Sequence, residues 1–104
     1  MVSVTFKLRY DSKDLLVQIS REFQVPVVPR IGETVFWGTE EAGDYFDAER
    51  VWHHPTRGTV EVEFHCQLWV LLEAWKSTEG WKVTEGNRKK FFHYLEHPEE
   101  LKEE

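Results

Sequence analysis

Cysteine is almost missing: Cys66 stands alone among 104 residues, which excludes an internal disulfide and any paired-cysteine metal site. The N-terminal stretch reads as an alternating strand and lacks a basic region followed by an apolar run. Together with the lone cysteine this points to a reducing, cytoplasmic setting. No apolar run approaches the roughly 20 residues that cross a bilayer, so no membrane partner is expected. A glycine-rich nucleotide loop and a local nucleophile motif are also missing, and the expectation is therefore no catalytic residue, no cofactor and no metal. Internal repeats, low-complexity tracts and flexible linkers are lacking too. Residues 1–104 read as one domain, too short for a second core.

Bulky side chains are plentiful. Five Trp, seven Phe and three Tyr, within a hydrophobic content of 40%, can drive folding without a metal. Net charge is −6, and it is unevenly spread: residues 31–63 hold eight acidic and two basic side chains, whereas residues 1–30 hold three acidic and five basic. A phosphate backbone would meet that acidic middle unfavourably, and the short cluster Arg88-Lys89-Lys90 reads as a solvated surface. The balance argues against nucleic acid.

Val2, Val4, Phe6, Leu8 and Tyr10 alternate with polar residues, a period of two that gives a strand one apolar face. Asp11-Ser12-Lys13-Asp14 then turns the chain into a partner strand over 15–23, making 1–23 a hairpin. Pro26 and Pro29 keep the next segment extended, and Gly32 supplies a positive-φ turn into a strand over 34–38. Residues 39–44 read as an exposed acidic connector, 45–53 as a fourth strand with Ala48 inward, and 59–66 as a fifth. Over 68–79 a helix stacks Leu68, Leu71, Leu72 and Trp75, with Gly80 placed for left-handed geometry at its end. The rival is a hairpin with 77–80 as its loop. A short strand follows at 81–84. Over 88–95 the basic residues would crowd a helix start and acidic residues its end, so a strand is expected there. Residues 97–104 read as one helical turn with Pro98 at its first position, then a frayed tail.

Histidines 53, 54, 65, 93 and 97 are poorly spaced for chelation if they lie on strands, because His53 and His54 would point to opposite faces, as would His65 and Cys66. A tertiary set of His54, His65 and His93 on neighbouring strands is the one arrangement left. Cys66 follows the inward positions Val62 and Phe64 and reads as a buried structural thiol. Glu61 and Glu63 share one strand face, where solvation explains them more simply than acid–base chemistry. The surplus of tryptophan is more informative, since indoles concentrate at contact hot spots. Trp37 and Trp52, with the acidic Glu40, Glu41 and Asp44 beside them, make the candidate binding site.

The run Pro29-Arg30-Ile31-Gly32-Glu33-Thr34-Val35, the return strand ending Val51-Trp52-His53-His54 and the alternating strand at 59–66 together resemble small bacterial and phage-encoded β-domains. The resemblance spans residues 25–83. It implies a glycine that turns the chain and a valine that enters the core, and no catalytic residues. The expected fold is mainly β: an antiparallel curved sheet or small barrel of six to seven strands with one packed helix. The expected role is a non-catalytic module for a protein partner or for self-association through a strand edge. The alternatives are a small-ligand domain with a tryptophan-lined cleft and, third, a metal-dependent enzyme using the histidines.

Overall fold

The computed structural model describes residues 2–38 and 43–101, with 36–38 and 43–46 described by their backbone alone. The elements run β1 (Val2–Asp11), β2 (Leu16–Val25), β3 (Thr34–Gly38), β4 (Gly43–Asp47), β5 (Arg50–His54), β6 (Thr59–His65), α1 (Leu68–Ser77), β7 (Lys82–Gly86) and α2 (Arg88–Glu96), then a 3-10 turn at Pro98–Glu100.

The alternating N-terminal segment forms the expected hairpin. β1 and β2 pair in full from Val2↔Val25 to Asp11↔Leu16. Ser12 closes the turn, its Oγ accepting from the Leu15 amide at 3.2 Å while its own amide donates to the Leu15 carbonyl at 2.9 Å. This hairpin is the centre of a five-stranded sheet ordered β5-β6-β1-β2-β7. β6 lies parallel to β1, with Val4 opposite Val60 and Arg9 opposite His65. The other pairings in this sheet are antiparallel. The sheet is therefore mixed and open at β5 and β7, which corrects the expectation of a purely antiparallel sheet or a barrel. Because β7 runs antiparallel to β2, it points the same way as β6, and α1 crosses from one to the other over the two strands between them.

The expected fourth strand over 45–53 is in fact two strands in two sheets. β4 pairs only with β3, and β5 joins the large sheet. Ala48 and Glu49 make the transfer: the Ala48 amide donates to Glu33, its carbonyl accepts from Gly32, and the Glu49 amide donates to Glu63. Two adjacent residues bonded to different segments, Ala48 to Gly32 and Glu33 and Glu49 to Glu63, cannot continue one straight ladder. Ala48 is buried nonetheless, as its inward placement required.

α1 forms where expected and buries Leu68, Val70, Leu71 and Leu72 on the apolar sheet face. It stops at Ser77, two residues early. Gly32 and Gly80 adopt φ of +84° and +98°, as anticipated for both. The expected strand over 88–95 is overturned, giving a second helix where one was foreseen. Asn87 caps α2, its Oδ1 accepting from the Lys90 amide at 3.0 Å. Phe91 is fully buried, with Trp75 of α1 edge-on to it at 5.3 Å and to Phe92 at 5.5 Å. A cap contributes about 1 kcal/mol and a buried Phe about 1.5–3 kcal/mol, together more than the few tenths to 1 kcal/mol set against them by unfavourable end charges. Gly86 makes the β7–α2 junction possible. At φ +93° it lies so near β2 that a Cβ would stand 1.9 Å from the Leu16 carbonyl oxygen.

Candidate functional site

The alternation that aims Val4, Phe6 and Leu8 into the core sends Thr5, Lys7 and Arg9 to the opposite sheet face. Register brings to them Glu61, Glu63 and His65 from β6, Arg50, Trp52 and His54 from β5, and Gln18 and Ser20 from β2. α1 and the buried Phe91 of α2 belong to the core on the other side.

This face is polar yet tightly packed. Gln18, Ser20 and Glu63 are each less than a tenth exposed. Lys7, Arg9 and Arg50 each have an acid. Lys7 Nζ lies 3.0 Å from Glu61 Oε1, Arg9 lies 3.0 Å from Glu85 and 3.9 Å from Asp11, and Arg50 Nε lies 3.7 Å from Glu63 Oε2. His65 Nε2 approaches the same Glu63 oxygen at 3.3 Å, and His54 Nε2 bonds Glu61. Gln18 donates to Thr84 Oγ1 at 3.0 Å, and the Ser20 and Thr84 hydroxyls meet at 2.7 Å. The Lys7 ammonium also sits 5.1 Å from the centre of the Trp52 ring. Burial alone would raise the Glu61 pKa, but Lys7 and His54 outweigh it and hold that carboxyl below its ordinary value.

Two depressions of about 390 Å³ each adjoin here and share Arg9, Asp11 and His65. One extends over Lys7, Arg50, Trp52 and Glu63, the other toward Tyr10, Gln67 and Trp69 at the start of α1. Every charge in the first has an opposite charge close by, which leaves little excess field for a free anion and suits a surface of mixed polarity.

Of the five candidate site residues, the structure places Trp52 on this face. Trp37 and Asp44 are directly opposed in the backbone register of β3 and β4, in the separate two-stranded sheet, and their side chains lie outside the described set. Glu40 and Glu41 lie outside the described residues. Trp52 thus belongs to the five-stranded sheet and the backbones of Trp37 and Asp44 to the two-stranded one. The residues missed by sequence reasoning are Lys7, Arg9 and Arg50, and Glu63, expected to be solvated, is buried. Their signal was the polar half of the β1 and β6 alternation. Of the remaining tryptophans, Trp81 is buried, Trp75 half-buried and Trp69 37% exposed.

Cys66 is buried, and burial pushes its thiol up to about 12, so it stays protonated at neutral pH and is a poor nucleophile. The strand trio His54, His65 and His93 does not assemble, because His93 belongs to α2. No family model, curated protein or solved structure matches the chain. Fold and face together define a small α+β domain built on an open mixed sheet, with one face in the core and the other a field of paired charges around a tryptophan. No helix of the described residues is long and apolar enough to cross a membrane.

Proposed function

We propose that the protein is a non-catalytic interaction module whose polar sheet face receives a protein partner, with Trp52 as the anchor. The observation that carries this reading is the placement of Trp52 beneath the Lys7 ammonium, inside a ring of mutually paired charges on the side of the sheet away from both helices. A tryptophan held in place by its neighbours presents a large contact area at little entropic cost, and a surrounding polar rim sets register and specificity. Glu61 and Glu63 are engaged by basic side chains, and the thiol of Cys66 is inert, which takes acid–base and nucleophilic chemistry off this face. The edges at β5 and β7 offer self-association as the alternative form of the same role.

The depression over Trp52 supports a second reading, a small polar ligand stacked on the indole. Its volume falls within the range of small-molecule sites, although charged side chains dominate its lining where a tryptophan-lined cleft was expected.

Affinity capture with the full chain separates these readings when the native protein is compared with Trp52→Ala, Lys7→Glu and the α1 surface control Lys76→Ala. A protein retained by native and control chains but lost with both face variants supports the module. A sedimentation-detected dimer with the same sensitivity supports its self-associating form. Retention of the same proteins by all four chains, with no dimer, overturns it.

A further inference from the structure

We propose that His93, His97 and Glu100 form a site for a divalent transition ion of the zinc class, which clamps the 3-10 turn onto the C-terminal end of α2. His93 lies in the last turn of α2 and His97 is its C-cap four residues on, a spacing that brings the two imidazoles to the same side of the helix end. The rings stand 4.9 Å apart. His97 closes the helix by donating its amide to the His93 carbonyl at 2.9 Å, and Pro98 then starts the turn. The Glu100 amide donates back to His97 at 3.0 Å, which returns the Glu100 carboxylate over the two rings.

The ligand atoms converge. Glu100 Oε2 is 3.0 Å from His93 Nε2 and 3.9 Å from His97 Nδ1, and one ligand atom from each residue lies within 4.8 Å of the others. A tetrahedral ion bonded at roughly 2.0–2.1 Å holds neighbouring donor atoms about 3.3–3.4 Å apart, a spacing these distances bracket. Two imidazoles and one carboxylate suit zinc, nickel or copper and discriminate against magnesium and calcium, which prefer all-oxygen shells. The three side chains are about half exposed, so an ion reaches them without opening the fold. Glu99 Oε1 also lies 3.4 Å from His97 Nδ1. Three protein donors leave one position for water.

The site is independent of the polar sheet face and of the binding role proposed for it. Its consequence is structural. Leu101, directly after the turn, packs partly buried against the core, and an ion joining Glu100 to α2 would fix that contact.

Calorimetric titration of the tag-free full chain with zinc chloride, with magnesium chloride as the comparison, tests the site. One zinc per chain is expected, with negligible magnesium binding. His93→Ala, His97→Ala and Glu100→Gln should each weaken zinc binding by at least roughly tenfold, whereas the double variant His53→Ala/His54→Ala should bind as the native chain does. His53, His93, His97 and Glu100 are exposed and His54 half-buried, and circular dichroism verifies that each variant is folded. Zinc should also slow amide exchange at Glu100 and Leu101. Zinc binding unchanged in His93→Ala or His97→Ala, or equal affinity in Glu100→Gln, overturns the three-ligand site.

Discussion

Phe64 and Glu63 are neighbours in sequence and occupy opposite faces of one strand, both almost fully buried. Phe64 packs edge-on to Phe6 at 5.7 Å, in a core closed by α1. Glu63 is enclosed by an Arg50 side chain that is 67% exposed and a His65 that is 48% exposed. Equal burial therefore hides unequal dependence. The core face loses contacts that nothing else can supply, whereas on the polar face the partners of a deleted group turn to water. One sheet thus has a face that holds the fold together and a face whose side chains can change at smaller cost to it.

The largest expected effect is on the core side. Phe64→Ala should destabilise by about 3–5 kcal/mol, measured by urea denaturation, and Leu72→Ala on α1 by about 2–5 kcal/mol. Glu63→Gln, one residue away, should cost about 1 kcal/mol or less, because Arg50 and His65 rehydrate when their acid is removed. A Glu63→Gln loss as large as that of Phe64→Ala would erase the distinction between the faces. Lys7→Ala removes the half-buried ion pair with Glu61 and the ring contact with Trp52, and a loss of roughly 0.5–1 kcal/mol is expected. Glu61 sharpens the contrast through pH. Its folded-state pKa is lowered, so its contribution is complete above the ordinary carboxylate value of 4.5 and fades as pH falls through the lowered one. The melting temperature of Glu61→Gln should accordingly converge on that of the native chain in acid and separate from it above that range. The smallest effect is chemical: Cys66 should resist alkylation in the native protein at neutral pH and react promptly in denaturant.

Much of the fold was legible where one strong signal acted alone. Alternation gave the β1–β2 hairpin, and a Leu-rich stripe gave α1. Alternation reports which way a side chain points and is silent about which strand lies alongside, so the parallel β1–β6 pair and the open sheet were out of reach, and with them the pairing of Lys7 with Glu61 and of Arg50 with Glu63. Trp52 was singled out because indole surplus is visible in composition, and the register of β5 sets it on the polar face. α2 was missed because end charges were weighted above the Asn87 cap and the buried Phe91. That error also concealed the His93–His97 relation. Four residues apart on a strand they would stand about 13 Å apart, but on a helix the separation along the axis is about 6 Å.

The parallel pairing of β1 with β6 joins residues 4–9 to residues 60–65, and it orders events during synthesis. β1 and β2 can zip together as soon as both have left the ribosome. The outer edge of β1, with its amides and carbonyls unpaired, must then wait for β6. At about 5–20 residues per second, the 40 residues from 25 to 65 take roughly 2–8 s to add. Throughout that interval the nascent hairpin exposes Val4, Phe6 and Leu8 beside a free edge, the combination that invites another chain to add as a strand. The polar residues alternating along β1 keep that exposed strand from being apolar on both faces, so the face proposed for recognition in the finished protein also guards its first strand while the chain is still being made.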